Sequence, residues 1–549
     1  MIGRARTGDT ALAVAVFLIM AAFLIAPLGV LVEQAAGSGE DGVLLSGVRR
    51  YLATPGLIHS LTNTAFLAFG VVIVVMPAAF TAAFALERGR LPMKAGFQAI
   101  FSAPLLIPSL LPALALVYLF GRHGLITPFL GGRTIYGAQG ILVADAIATF
   151  PHALIILRTA LAAADGRLYE QAGLMGSGPW RNFWRITLPN VRHGLVSAAV
   201  VVFSLTIADV GAPKVVGGDF DVLALDIYKA VLGRQDFQLG SAAALFLLAP
   251  CVIAVVIERL AARRQAALVS SRSTRFKATP DFGRDSTLLA VCGIMAFVIV
   301  AVFAVCQWAA LVKLWPYDLS LSLDQYQLDR FDGGGWSALI DSILLGLATA
   351  GFGMCAAFVG AYTAERSKAA KGLRLSISTF ALAPAAVPGL ALGLAYILFF
   401  NDPANPIHAV YGTFAILVIA TVVHFYTVAH LTCVSALRAL DPEFEAAGAV
   451  LGRSRLTLIS RVIAPLSAAA LVEVGVYLFV GATTTVSAVV FLYPPDVKLA
   501  AVAVLNMDDA GDSAPAAAMG MLIVYVNIVA RAGGLWLRAR LARVTGALA

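Results

Sequence analysis

Twelve stretches of about 20 mostly apolar residues recur along this chain, each long enough to cross a bilayer core of roughly 30 Å as a helix. They lie near residues 10–32, 60–84, 97–120, 138–160, 192–208 and 239–259, then 287–312, 337–363, 375–400, 410–434, 466–491 and 514–533. In lipid every backbone N–H and C=O must find its partner inside the protein, which leaves helices as the form for segments of this length. The predicted fold class is therefore an all-α membrane protein of about twelve transmembrane helices. No intervening polar stretch could form a separate soluble domain, and composition agrees: 60% of the 549 residues are hydrophobic and 13% charged, against about 25% charged in soluble domains. Arg4 and Arg6 precede the first stretch as in a signal peptide, but the apolar run is too long and no A-x-A cleavage pattern follows, so it reads as retained. Cys251, Cys292, Cys306, Cys355 and Cys433 are odd in number and scattered singly in apolar segments, which suggests neither a disulfide framework nor a zinc site.

The formal charge of +8 reflects orientation. With the N-terminus inside, the inner segments hold 29 Lys and Arg and the outer loops 10, as the positive-inside rule requires. Both termini are expected in the cytoplasm, with the basic excess facing anionic headgroups and no nucleic-acid partner.

The chain is a duplication. Asp165, Gly176, Pro189 and Phe203 have counterparts 276 residues later at Asp441, Gly452, Pro465 and Phe479. The Glu87-Arg88 and Glu365-Arg366 dyads, and Pro104 and Pro108 with Pro384 and Pro388, match at slightly larger offsets. Six spans per repeat is an even number, so the repeats insert in the same orientation, related by an axis along the membrane normal. The expected organisation is a first repeat over 1–261, a polar cytoplasmic linker over 262–285 and a second repeat over 286–549.

Between the fourth and fifth spans of each repeat lies the most informative segment, Asp165 to Pro189 and its twin Asp441 to Pro465. Asp165 as N-cap predicts a helix from about 167 to 175, stopped at Gly176 and followed by a second helix ending at Pro189. Trp180, Phe183 and Trp184 are too apolar for a lone loop; they either pack on the span ends or fill a groove on a partner.

This segment resembles the signature of the integral-membrane permeases of bacterial ABC importers: an Asp, then Glu-Ala-Ala, a Gly six residues after the Glu, and Leu-Pro. Ser60, Asn63 and Thr64 opening the second span, and the prolines of the third, agree. The resemblance implies a fused type I permease in the bacterial inner membrane, with one subunit of a cytoplasmic ABC ATPase dimer docked on each loop and substrate delivered by a periplasmic binding protein. It implies ATP on the partner and no cofactor bound by this chain. The docking residues it indicates are Asp165, Glu170, Ala172, Gly176, Trp180, Phe183 and Pro189, then Asp441, Glu445, Ala446, Gly452 and Pro465. Both loops depart from the pattern. Gln171 stands where Ala is usual, and Ala446 occupies the Glu position with Glu445 one residue earlier, leaving open whether Glu445 substitutes. The stretches 208–218, 424–430 and 485–493 look most like fused permeases assigned to 2-aminoethylphosphonate uptake; iron(III) and thiamine permeases share the architecture. A secondary transporter is the reading from another class, and it gives two ATPase-docking loops no purpose.

Other chemistry is sparse. A P-loop needs Gly-Lys before Ser or Thr, and Gly-Lys occurs nowhere in the chain, so energy must come from a partner. Ionisable groups inside spans need a cavity or a companion. Glu473, Tyr477, Thr484 and Ser487 fall within about 80° of one another on an ideal helix, and stand either as a wall of the translocation path or as an interhelical hydrogen-bonded stripe. In the first repeat the counterparts Ser197, Val201, Ala208 and Gly211 are smaller, and the path candidates there are Ser197, Ser204 and Asp209. Asp145, His152, His424 and His430 lie in or near spans without a Glu-x-x-His or His-x-x-x-His pair, so no metal site is expected. The outer loops 209–238 and 492–515 hold Asp209, Asp219, Asp221, Asp226, Asp236, Asp496, Asp508, Asp509 and Asp512; these either receive the binding protein or are solvated.

Overall fold

The computed structural model describes residues 2–37, 46–268, 274, 276, 278, 280–441 and 443–546. Among these, nine helices are long and apolar enough to cross a membrane: Gly8–Ala36, Gly56–Arg88, Ala138–Ala163, Pro179–Ala208, Phe237–Ala261, Phe282–Ala309, Gly335–Glu365, Phe414–Ala439 and Ser513–Leu541. Three bent pairs, Lys94–Leu106 with Leu110–Phe120, Lys371–Ala386 with Gly389–Phe400, and Arg455–Leu466 with Ala468–Thr484, bring the number to twelve. Numbered in chain order, these are spans 1 to 12. The protein is a multi-pass, nearly all-helical membrane protein. The helix of span 6 reaches Leu268 and that of span 7 starts at Phe282, so both helices extend into the polar stretch 262–285 of the sequence.

Spans 3 and 9 are broken, turning by 101° and 111° next to Pro108 and Pro388. The residues preceding these prolines, Ile107 and Val387, are extended, with ψ of 147° and 110°, as the proline ring dictates. A break in a bilayer exposes backbone groups, and at both breaks side chains take some of them. The Leu106 carbonyl accepts from Nδ2 of the fully buried Asn527 in span 12 at 2.9 Å, while Asn527 Oδ1 accepts from the Thr483 hydroxyl in span 11 at 2.8 Å. In the second repeat, the Thr427 hydroxyl donates to the Ala381 carbonyl at 2.9 Å and accepts from the Ala385 N–H at 3.1 Å. Satisfied in this way, the breaks are tolerable in lipid.

The first span of each repeat packs on the other repeat. Span 1 stacks Phe17 on Phe380 and Phe23 on Phe400, and its Phe23 carbonyl accepts from the Tyr396 hydroxyl at 2.6 Å. Span 7 places Cys292, Ala296 and Ile299 in a core with Val71, Val75 and Phe101 of the first repeat. The polar ends of these spans reciprocate as well. Asp9 accepts the Lys368 N–H at 2.6 Å beyond span 8, and Asp285 accepts the Arg90 N–H at 3.2 Å beyond span 2. Asp9 is 4% exposed and also pairs with Arg455, which joins the first span to the start of span 11.

This end of the molecule carries the basic loops of the sequence and is termed the basic face. On the opposite, acidic face a small hairpin, β1 (Val312–Leu314) with β2 (Asp318–Leu321), precedes span 8. There the repeats are bridged by Lys214 and Asp509 at 3.1 Å, with the Lys214 ammonium 5.2 Å from the Tyr228 ring centroid.

The two inter-repeat ion pairs should differ in weight. Removing one member of a buried pair strands the other, at a cost on the order of 2 kcal/mol or more, whereas a pair open to solvent contributes about 0–1 kcal/mol. Thermal unfolding of purified protein should therefore show Asp9→Ala destabilised clearly more than Lys214→Ala; equal shifts would contradict the anchoring role of Asp9.

Candidate functional site

The two loops between the fourth and fifth spans of each repeat are built alike. Asp165 Oδ1 accepts the Arg167 N–H at 3.0 Å and starts the helix Gly166–Leu174. The twin helix runs Glu443–Val450. Each ends in a pair of backbone bonds from residues past the helix: Met175 to Gln171 at 3.1 Å and Ser177 to Ala172 at 2.9 Å, then Leu451 to Ala447 at 3.0 Å and Arg453 to Gly448 at 3.1 Å. The chain reverses between them through a left-handed residue, Gly176 at φ +70° and Gly452 at φ +64°. Such a terminus satisfies the last carbonyls of the helix and favours glycine.

Pro189 does not end the following helix, contrary to expectation. Helix runs unbroken from Pro179 to Ala208, so the loop merges into span 5. The turn Phe183–Thr187 is widened, with the Leu188 N–H bonding to the Phe183 carbonyl five residues back, which relieves the clash of a proline ring with the preceding turn. The same device, Ile459–Ile463 with Ala464 bonded to Ile459, precedes Pro465.

Both loops present apolar side chains to the outside at matched positions. Leu174, Met175 and Trp180 are 90%, 86% and 73% exposed; their counterparts Val450, Leu451 and Leu456 are 88%, 73% and 80% exposed. The two loops thus expose the same three apolar positions. The aromatic trio divides between its two readings. Phe183 packs edge-on against Phe80 and Phe84 of span 2, while Trp180 stacks on Phe183 and stays exposed and Trp184 is half-exposed beside it. Ala172 is half-buried and Glu170 exposed.

The two glutamates face differently. Glu445 turns toward the permease body, where its Oε2 lies 3.9 Å from Arg366, which in turn bonds the Leu440 carbonyl at 2.6 Å. The corresponding position of the first loop is Tyr169, whose ring centroid lies 4.6 Å from the Arg88 guanidinium, and Arg88 bonds the Leu161 carbonyl at 3.0 Å. Glu445 thus occupies the place of Tyr169. At the place of Glu170 the second loop has the exposed Ala446, with Glu443 exposed three residues earlier.

Sequence reasoning missed Asp9, Arg455 and Tyr362, which form one network: Arg455 Nε donates to the Tyr362 hydroxyl at 2.9 Å and pairs with Asp9. A signal existed, because Asp9 and Asp285 are separated by the same 276 residues as the other landmarks.

The path candidates are not assembled as one stripe. Glu473 pairs with Arg538 of span 12 at 3.2 Å, Tyr477 packs edge-on to Phe425, and the Thr484 hydroxyl returns to the Val480 carbonyl at 2.8 Å. The helix stops at Thr484 rather than near 491, so Ser487 leaves the helical face and sits against Gly389 at the break of span 9. Ser197 is buried, Ser204 half-buried, and Asp209 accepts the Ala212 N–H at 2.8 Å past the end of span 5. Several outer acids already have partners inside the chain: Asp221 pairs with Lys229, Asp236 with Arg50 and Asp509 with Lys214, Asp508 accepts from Ser513, and Asp226 is buried beside Tyr51. Asp219 and Asp496 are exposed and Asp512 half-buried. Burial pushes the Asp226 carboxyl up to about 6. Among the described residues no three His, Cys, Asp or Glu side chains converge to hold a metal.

A family model, that of the binding-protein-dependent transport system inner membrane component, matches the chain twice, over residues 76–267 and 353–543. The chain belongs to this family. Each match spans one of the two signature loops. Among relatives, the ferric transport system permease protein FbpB of Actinobacillus pleuropneumoniae is 29% identical over 500 residues, covering 87% of this chain and 71% of that protein. A Haemophilus influenzae protein named as ferric transport system permease protein FbpB 1 is 28% identical over 475 residues, covering 82% and 73%. A chain of a bacterial alginate ABC transporter crystallised with an alginate-bound periplasmic protein is similar with a TM-score of 0.39 and 17% identity, over 48% of this chain and 95% of that one.

For this transport component the glycine turns offer a direct check of the loop geometry. A Cβ at Gly176 or Gly452 would meet nothing within 4 Å, so substitution costs only the left-handed backbone, roughly 1–2 kcal/mol for alanine. Hydrogen exchange over 166–174 should accelerate about tenfold in Gly176→Ala and little in Gly176→Asn; indifference to both would contradict the turn.

Proposed function

We propose that the chain is the transmembrane permease of an ABC importer for iron(III). A separate ATPase dimer docks on the basic face, in the cytoplasm, and a binding protein delivers cargo to the acidic face. The positive-inside distribution supports this orientation. The matched apolar sets on the two loops, with Glu170 beside the first, support one ATPase subunit per repeat, and the absence of a P-loop from the sequence assigns hydrolysis to that partner. Transport then proceeds by opening and closing the repeats against each other, the Lys214–Asp509 bridge being a contact that outward opening must break.

The observation that carries the cargo assignment is that two ferric permeases match through both repeats, over 87% and 82% of this chain. The likeness to 2-aminoethylphosphonate permeases is narrower, resting on the three stretches 208–218, 424–430 and 485–493. Without a metal-binding cluster among the described residues, selectivity for iron is assigned to the binding protein rather than to the spans.

Uptake by a deletion strain and its complemented counterpart separates these readings. Loss of radiolabelled iron(III) accumulation, with growth on 2-aminoethylphosphonate as phosphorus source unaffected, is the expected result. The reverse pattern would replace iron by the phosphonate. Iron accumulation driven by a proton or sodium gradient in vesicles holding this chain alone would overturn the ABC-importer reading.

A further inference from the structure

The two loops have matched surfaces but are held to the body by different chemistry. The second loop is anchored by charge, through Glu445 to Arg366 and through Arg455 to Asp9 and Tyr362. The first loop is anchored by the segment that joins the repeats. Its Gly166 N–H donates to the Thr274 carbonyl at 2.8 Å, and Asp165 Oδ1 accepts from the Thr274 N–H at 3.1 Å. Two residues on, Phe276 closes over Arg88: the guanidinium lies 4.3 Å from the Phe276 ring centroid and 4.6 Å from that of Tyr169, and the two rings meet edge to face at 4.9 Å. The Arg90 Nε then bonds the Ala278 carbonyl at 3.2 Å. The fit is close, since a Cβ at Gly166 would come within 3.0 Å of the Thr274 carbonyl and 3.1 Å of the Phe276 backbone.

Arg88 has unusual need of these rings. It is 3% exposed, and its Nε and Nη1 have no hydrogen-bond partner among the described residues. A buried guanidinium short of acceptors is costly unless its faces meet aromatic rings, where the attraction is strongest when water is excluded. Arg88 ends span 2, its Nη2 bonds the Leu161 carbonyl in the last turn of span 4, and Tyr169 belongs to the loop helix next to Glu170. Movement of that helix relative to the two spans therefore passes through Arg88.

We infer that Thr274 and Phe276, in the joint between the repeats, are positioning residues of the first docking loop, Phe276 completing an aromatic clamp on Arg88 that transmits force between the ATPase and spans 2 and 4. The inference rests on the docking reading above. The joint is thereby a working part of the transporter rather than a tether.

The test is the coupling ratio, substrate transported per ATP hydrolysed, in the reconstituted complete complex at equal amounts of bound ATPase. Phe276→Ala should lower it about three- to fivefold, and Phe276→Tyr should restore it, since only the ring is needed. In a Glu170→Ala background, Phe276→Ala should add little, because both act on the same loop; in a Glu445→Ala background the losses should multiply. Phe276→Ala with an unchanged ratio, or with losses multiplying equally in both backgrounds, overturns the clamp while leaving docking intact. If Glu170→Ala itself leaves hydrolysis and transport unchanged, the docking reading falls and the clamp with it.

Discussion

A polar backbone in hydrocarbon must find its hydrogen-bond partners inside the protein, and this requirement binds the two repeats into one molecule. Where span 3 breaks at Pro108, the freed Leu106 carbonyl is taken by Asn527, which belongs to the other repeat. Where the chain leaves spans 2 and 8, the N–H groups of Arg90 and Lys368 are taken by Asp285 and Asp9, each again from the opposite repeat. Of these contacts the Leu106–Asn527 bond is buried, while those of Arg90 and Lys368 lie at the span ends on the basic face. The apolar packing of spans 1 and 7 across the molecule follows the same exchange.

Within this shared frame, duplication has kept geometry and let chemistry diverge. Glu87 with Arg158 at 2.9 Å and Glu365 with Arg438 at 2.6 Å join the ends of the second and fourth spans in both repeats. Arg88 and Arg366 bond carbonyls at the ends of the fourth spans in both. The residue of the loop helix that meets this arginine is Tyr169 in one repeat and Glu445 in the other, so one joint is aromatic and the other ionic. Since the following position is then Glu170 or Ala446, the divergence also reaches the exposed surface.

The twelve spans were legible because hydrophobic runs of bilayer length are a strong signal, and the loop helices because an aspartate N-cap and a glycine stop are local. What the sequence hid was local backbone geometry without a residue signature, and contacts between distant segments. That span 11 stops at Thr484 depends on extended backbone at Thr485, and Ser487 leaves the expected stripe for that reason. The pairing of Glu473 with Arg538 of the next span is a contact that spacing within one helix does not reveal. The direction of Glu445 turns on Arg366, 79 positions earlier in the chain. Pro189 read as a stop because a widened turn that accommodates proline leaves no mark in residue spacing.

The central claim is that one chain supplies two docking sites, one per repeat, for a separate ATPase. Native mass spectrometry of the complex isolated through a tag on this chain measures this directly. The account predicts one permease chain with two ATPase subunits. Two permease chains per ATPase pair, or a single ATPase subunit on one chain, would contradict it.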